Sequence, residues 1–355
     1  MLHPRNLAFL VATFLAHLSI PVSAHAAACG SHVHWSGSSA TVQPSHGDDT
    51  AALQCVFTAL AGVSGAQVKL VAGTYTTGNL IIRDFDGVFI GAGSRATTIT
   101  NGVVRVATNF FENDPSLENP WPLLLTFIGG RFQVSDLGFA IGGASPTTWT
   151  LPGLPVLHSL AVVAAVLGEV DARFVRVRVT GERAPEDPVF GFNLYNGIVF
   201  QGPAVTPASG KMSVEDCSFQ TVGSWAPIAD VQHGTFTATG NDSDDLFFAF
   251  DVGPLQDTRA LYAGNRVRHA LVSEVFGTLD RSSLSLVAND VESSAEGIQV
   301  TMDFTNGASC SIVGNKLATP DPAILLGPGT SHCLVAGNHG ASVIDQGTNN
   351  LVVQH

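Results

Sequence analysis

Lysine is nearly missing from this 355-residue chain: it occurs only at Lys69, Lys211 and Lys316. Lys and Arg together number 16 against 29 Asp and Glu, a formal net charge of −13 at pH 7. Binding a nucleic-acid backbone requires clustered cations that displace counterions, and attachment to anionic lipid requires a polybasic patch. The sequence has neither, so nucleic acid is excluded as a general partner. Beyond the first thirty residues no apolar run is long enough to cross a bilayer, and no transmembrane segment is expected in the mature protein. The five cysteines (Cys29, Cys55, Cys217, Cys310, Cys333) lack zinc-ligand spacing. Glycine, by contrast, is abundant at 37.

The chain opens "MLHPRNLAFLVATFLAHLSIPVSAHAAACG". Arg5 precedes an apolar run, and an A-x-A at Ala24 to Ala26 follows it. This pattern reads as a secretory signal at 1–26, leaving a single domain at 27–355. A membrane anchor fits less well, because His17 and Pro21 interrupt a short run. The expected location is therefore secreted or periplasmic. An alternative is a lipid anchor through Cys29, since "AAAC" loosely resembles a bacterial lipobox, although Leu is missing three residues before the Cys.

A small residue followed by Asn returns in "LYAGNRVR", "LSLVANDV", "SIVGNKLA" and "LVAGNHGA". Extended upstream, the recurring position holds Leu137, Val177, Cys217, Asn241, Asn265, Asn289, Asn315 and Asn338, at steps of 40, 40, 24, 24, 24, 26 and 23. Residues five and three before it, and two after it, are nearly all apolar. Such alternation marks strands with one buried face. A period of this length marks a solenoid. A leucine-rich repeat would need Leu eight residues before the Asn. That column instead reads His233, Asp257, Arg281, Gly307 and Thr330, a polar turn. Past the Asn come further β-like runs, "EGIQVTM" and "PAILLG". Each coil then holds about three short strands, which is a parallel β-helix of about ten coils. In it the Asn amides stack and bond coil to coil, a structural role. Cys217 takes one rung as a buried free thiol. Cys310 and Cys333 share an inward column on adjacent rungs, as a disulfide or as stacked thiols.

"GDDTAALQCVFTALAG" predicts a cap helix over about 48–61, started by Asp48 and Asp49, with an apolar stripe of Leu53, Val56, Phe57 and Leu60. A solenoid needs such a cover on its first open rung. Cys55 lies on this helix and is a candidate partner for Cys29.

The "GDDTAALQ" helix, the "AGTY" turn and the "VFIGAG" strand-turn, with the Asn rungs downstream, resemble the pectin-lyase-like right-handed parallel β-helix superfamily. The resemblance runs from Gly47 to about His355. It implies an all-β, right-handed parallel β-helix with an α-helical cap. It does not select an activity, because the superfamily holds lyases, hydrolases, epimerases and proteins without known catalysis. The hydrolase branch's Gly-His-Gly and Arg-Ile-Lys motifs are not here, so its roles do not pass to Asp244 and Asp245. None of the three Lys is an obvious lyase base.

Columns of side chains one coil apart supply the remaining candidates. Asp242, Arg266, Asp290 and Lys316, and likewise Asp244, Arg268 and Glu292, alternate in sign as surface ion-pair ladders do. Asp251 and Glu274 instead place like charges on successive rungs, with Asp230 before them if the turn near Trp225 is longer. Paired carboxylates serve acid/base work on a glycosidic bond, so these three are the candidate catalytic residues. The alternative is a Ca²⁺ site at Asp230, Asp251 and Glu274, and otherwise the face is simply acidic and solvated.

Both 40-residue steps carry inserts, roughly 142–160 and 181–195, holding Trp149, Arg183, Phe190, Phe192 and Tyr195. An earlier insert at 110–122 holds Glu112, Asp114, Glu118 and Trp121. Loops on one side of a solenoid build its binding wall. Trp149, Tyr195 and Trp225 are the expected sugar platforms, with Arg268 and His269 as further substrate contacts. The leading reading is a secreted carbohydrate-active protein, a polysaccharide lyase or glycoside hydrolase. The rival is a non-catalytic extracellular β-helix that binds glycan or protein.

Overall fold

A short strand leaves its backbone N–H and C=O groups directed sideways, and only another strand can pair them. Here the next coil does so. The computed structural model describes residues 29–101, 123–141, 148–149, 157–158, 160–181, 194–202, 207–275, 277–294, 297–340 and 342–353. The expected signal peptide at 1–26 and most of the three inserts, including Glu112, Asp114, Glu118, Trp121, Arg183, Phe190 and Phe192, lie outside the described residues.

Each coil has three strand faces. On the first face, eleven successive parallel pairings link twelve strand segments, from Ser39–Val42 to Leu351–Val353. The second face runs from Gly73–Thr76 to Lys316–Ala318. The third runs from 80–83 to Val343–Asp345. This is the parallel β-helix that the repeat and the family resemblance predict. Ile312 and Val335 are direct register partners, as are Cys310 and Cys333. Inward residues from all three faces form one continuous apolar core.

The Asn column joins the first face to the second. Asn241, Asn265, Asn289 and Asn315 are all buried. Each donates Nδ2 to the next Oδ1, at 2.9, 2.9, 3.0 and 2.9 Å. Each of those Oδ1 atoms also accepts the backbone N–H of the Asn before it, at 2.9–3.0 Å. A second Nδ2 bond goes back to a first-face carbonyl, as from Asn265 to Ala238 at 2.9 Å. The residue before each Asn bends left-handed: Gly240, Gly264, Gly314 and Gly337 have φ of 62–67°, and Ala288 has 53°. Only glycine adopts this without steric cost, which explains the small residue before each Asn. Cys217 ends the column. Its N–H donates to Asn241 Oδ1 at 2.9 Å, and its free, buried thiol is pushed up to about 12 by desolvation.

The helix Thr50–Ala59 buries Leu53, Val56 and Phe57, with Leu60 just past its end, as expected. Phe57 meets Phe85 and Phe89 edge-on, with centroids 5.4 and 5.1 Å apart. Gln54 brackets Ile81, accepting its N–H at 2.9 Å and donating to its C=O at 2.8 Å. Asp48 accepts the Thr50 N–H at 2.9 Å. Asp49 does not cap the helix with its side chain. It instead accepts N–H bonds from Ser45 and Thr76 at 2.8 and 3.1 Å, tying the helix start to the second face.

Two disulfides, Cys29–Cys55 and Cys310–Cys333, close the ends of the solenoid. They fit an oxidising, exported environment. The first also corrects the lipid-anchor alternative: the Cys29 sulfur is bonded to Cys55, leaving none for a thioether. No helix among the described residues is long and apolar enough to cross a membrane.

Replacing Asn265 with Ala strands the Asn241 N–H and one of its Nδ2 hydrogens and removes the amide donor to the Ala238 carbonyl, while Asn289 Oδ1 keeps the backbone N–H of residue 265. Each orphaned buried group costs about 1–3 kcal/mol. Asn265→Ala should therefore lower unfolding free energy by at least about 3 kcal/mol, measured by urea titration.

Candidate functional site

One register column crosses the third face from end to end: Ile81, Thr126, Ala165, Val199, Pro227, Asp251, Glu274, Gln299, Leu325 and Ile344. Its early part is apolar. Ala165 and Val199 join Val162, Leu167 and Ile128 in a cluster separate from the main core, on the outer side of the sheet. At Asp251 the column turns acidic, and Glu274 is its partner on the next rung, as the sequence spacing predicts. Gln299 follows. The chain enters this face at a corner where Thr221, Asp245 and His269 are left-handed, with φ of 55°, 61° and 50°. All three inserts join the chain at that same corner, just before Leu123, Leu160 and Leu194. Trp149 belongs to a short antiparallel pair inside the second insert. Tyr195 opens the strand Leu194–Gln201 opposite Ala161. The chain therefore runs from each insert into the face that carries the acidic column.

Two sequence expectations are corrected. Trp225 is not a sugar platform. It is 1% exposed, donates Nε1–H to Ala249 O at 2.7 Å, and packs on Phe219 and Tyr262. The turn that carries it folds inward. Asp230 does not stand before Asp251. The partner on that rung is Pro227, and Asp230 lies three residues later, past the strand Ile228–Ala229. There it accepts from Gln201 Nε2 at 3.4 Å, and burial holds its carboxyl above the usual carboxylate range. Asp230, Asp251 and Glu274 therefore do not form one three-carboxylate Ca²⁺ set. Among the described residues no group of three or more His, Cys, Asp or Glu side chains is placed to hold a metal ion.

Arg268 sits on the second face and His269 at its corner with the third, both in a carboxylate network. Arg268 pairs with Asp242 at 3.2 Å and approaches Asp244 at 3.9 Å. His269 Nδ1 lies 2.7 Å from Asp244 Oδ1, and its Nε2 lies 4.0 Å from Glu292. The register partners Asp242, Arg266, Asp290 and Lys316 follow the predicted alternation, and Lys316 bonds Asp290 at 3.2 Å. The first face repeats the theme: Arg131 clasps Asp86, and Arg173 clasps Glu215.

Sequence reasoning missed a second polar ladder and a groove beside it. Thr258 Oγ1 accepts the Gly234 N–H at 3.2 Å, and Ser282 Oγ accepts the Thr258 N–H at 3.0 Å. The signal was a hydroxyl residue 24 positions from its like, hidden because Gly and Ala fill the flanking rungs. Two residues before this ladder, Gln232, Gln256 and Asp280 stack in register.

No protein-family model matches the sequence, and no curated protein matches it. Among solved structures the chain is similar to the A-module of mannuronan C-5 epimerase AlgE4 from Azotobacter vinelandii, at 13% identity and a TM-score of 0.37, over 87% of this chain and 96% of that one. It is also similar to the AlgE6 A-module of the same organism, at 12% identity and a TM-score of 0.28, over 87% and 96%. Neither value bears on activity.

Two outcomes test these placements. Trp225→Ala should cost about 3–5 kcal/mol of stability as a core cavity does, read by urea unfolding; a sugar platform would leave stability unchanged. The Asp244 carboxylate, with Glu292, raises His269 above its ordinary value. The stabilisation is complete below the unfolded-state value near about 6.5 and fades as pH rises through the folded-state one. The imidazole NMR titration of His269 should fall toward about 6.5 in Asp244→Asn.

Proposed function

We propose that the protein is a secreted carbohydrate-active enzyme, a polysaccharide lyase or glycoside hydrolase, whose glycan lies along the third face. The observation that supports this most is that Asp251 and Glu274 are register partners on adjacent rungs of the face whose strands follow all three inserts. Adjacent parallel strands stand about 4.8 Å apart. Carboxylates brought close together raise one another's proton affinity, and on this reading the two positions divide the acid and base roles between them. One protonated and one ionised carboxyl is what acid/base chemistry at a glycosidic oxygen requires. Within this reading Asp251 and Glu274 share the acid and base roles. Tyr195 and Trp149 supply stacking surface, and Arg268 and His269 contact the glycan near its entry corner. The acidic balance of the chain favours a neutral glycan over a polyuronate.

Asp251→Asn should lower polysaccharide turnover by at least about 100-fold, as removal of a general acid or base does, while leaving the thermal midpoint unchanged. Reducing-sugar release and absorbance, screened over a glycan panel, read both reaction types. Unchanged turnover removes the assignment. Glycan binding without any turnover in the wild type identifies the protein as a binding module instead.

A further inference from the structure

Past Asp251 the chain runs through Val252 and Gly253 to Pro254, turning off the third face toward the first. A groove of about 210 Å³ opens at this corner. Pro207 and Pro254 wall it, and Asp230, Gln232, Gln256 and Asp280 line it. Gln232, Gln256 and Asp280 are consecutive rungs of one column, so amide, amide and carboxylate repeat at one-coil spacing. Ligand pockets for drug-sized molecules run to about 300–1,000 Å³; this groove suits one small, polar unit.

The chemistry of its lining narrows the occupant. Asp280 is saturated: Asn306 and Thr305 donate to Oδ1, while Gln256 and Arg281 approach Oδ2 at 3.4 and 3.0 Å. Its oxygens are therefore committed, which disfavours a metal ion bridging Asp230 and Asp280. Arg281 is committed as well, holding Asp257 at 2.6 and 2.9 Å. An anionic uronate would thus meet two carboxyls and no free guanidinium. A neutral polyol meets amide donors, amide and carboxyl acceptors and two proline faces, which together suit hydroxyls and ring C–H groups.

We propose that this groove is a subsite for one neutral sugar residue of a glycan that continues from Asp251 and Glu274 around the corner. Asp230 and Gln232 bind its hydroxyls. The half-buried Asp230 carboxyl, which also accepts from Gln201, accepts from them. The proposal rests on the carbohydrate reading of the third face.

The test is calorimetric titration of the full chain with cellohexaose, xylohexaose, mannohexaose and hexagalacturonate. Wild type is compared with Asp230→Asn and Gln232→Ala. Asn tolerates the left-handed backbone at 230 (φ 51°), and thermal midpoints check both variants for folding. The expected result is wild-type binding of a neutral hexaose that weakens about 5- to 10-fold in each variant, a loss on the scale of one hydrogen bond. A neutral hexaose held equally by wild type and both variants overturns the subsite and leaves the third-face reading standing. Tighter binding of hexagalacturonate than of any neutral hexaose overturns the neutral assignment. If none of the four binds, the carbohydrate reading falls and the subsite with it.

Discussion

Each buried Asn of the ladder completes its hydrogen bonds only when the coil on either side stands in step with it. Its oxygen serves the preceding turn and its nitrogen reaches the next oxygen and a strand carbonyl behind. A slip of one residue would move every inward side chain to the outer surface and leave these amides unpaired in the core. Buried polar groups are costly to leave unmade and add little when made. The column therefore acts less as glue than as a register pin. Burial of side chains such as Phe236, Tyr262 and Leu286 supplies the driving force.

That pin also writes the outer surface. Once coils are in register, any exposed residue sits about 4.8 Å from its counterparts above and below. Opposite charges on successive rungs satisfy one another: Asp86 with Arg131, Asp136 with Arg176, Asp257 with Arg281, Asp290 with Lys316. These pairs are exposed, and solvent screening leaves each contributing little to stability. Their larger effect is to neutralise columns that would otherwise repel. The Asp251–Glu274 step departs from the alternation in sequence, placing two acidic residues at successive register positions.

The parts of the fold that repeat were legible in the sequence, and the parts that occur once were not. Asn at 24-residue spacing, inward apolar columns and the Cys310–Cys333 adjacency all follow from counting, because a solenoid converts sequence distance into spatial contact. The Cys29–Cys55 pairing came from the cap helix being laid over the first coil. Trp225 shows the limit. Its turn belongs to no column, and nothing local says that the indole points into the core beneath Tyr262. Asp230 fails for a related reason. The turn near Trp225 is not lengthened: the 24-residue step holds across it, with Ile228 opposite Val252, so Pro227 and not Asp230 stands before Asp251. The groove went unseen because its lining comes from a corner, where the apolar alternation that guides counting lapses.

The position of the acidic step along the solenoid carries its own argument. Before it, the third face is apolar on its outer side, and Val162, Ala165, Leu167 and Val199 are buried there. After Gln299, the column returns to Leu325 and then to exposed Ile344. Asp251 and Glu274 stand two and three rungs beyond Val199, the rung that follows the last insert, with Pro227 between. A solvated acidic face kept only for solubility has no reason to stop after two rungs. On the proposed reading an extended polar ligand would lie over the open coils, with the acidic step beside the covered ones. The corner lined by Gln232, Gln256 and Asp280 continues the same stretch by one step, which is why the two sites are read as parts of a single path.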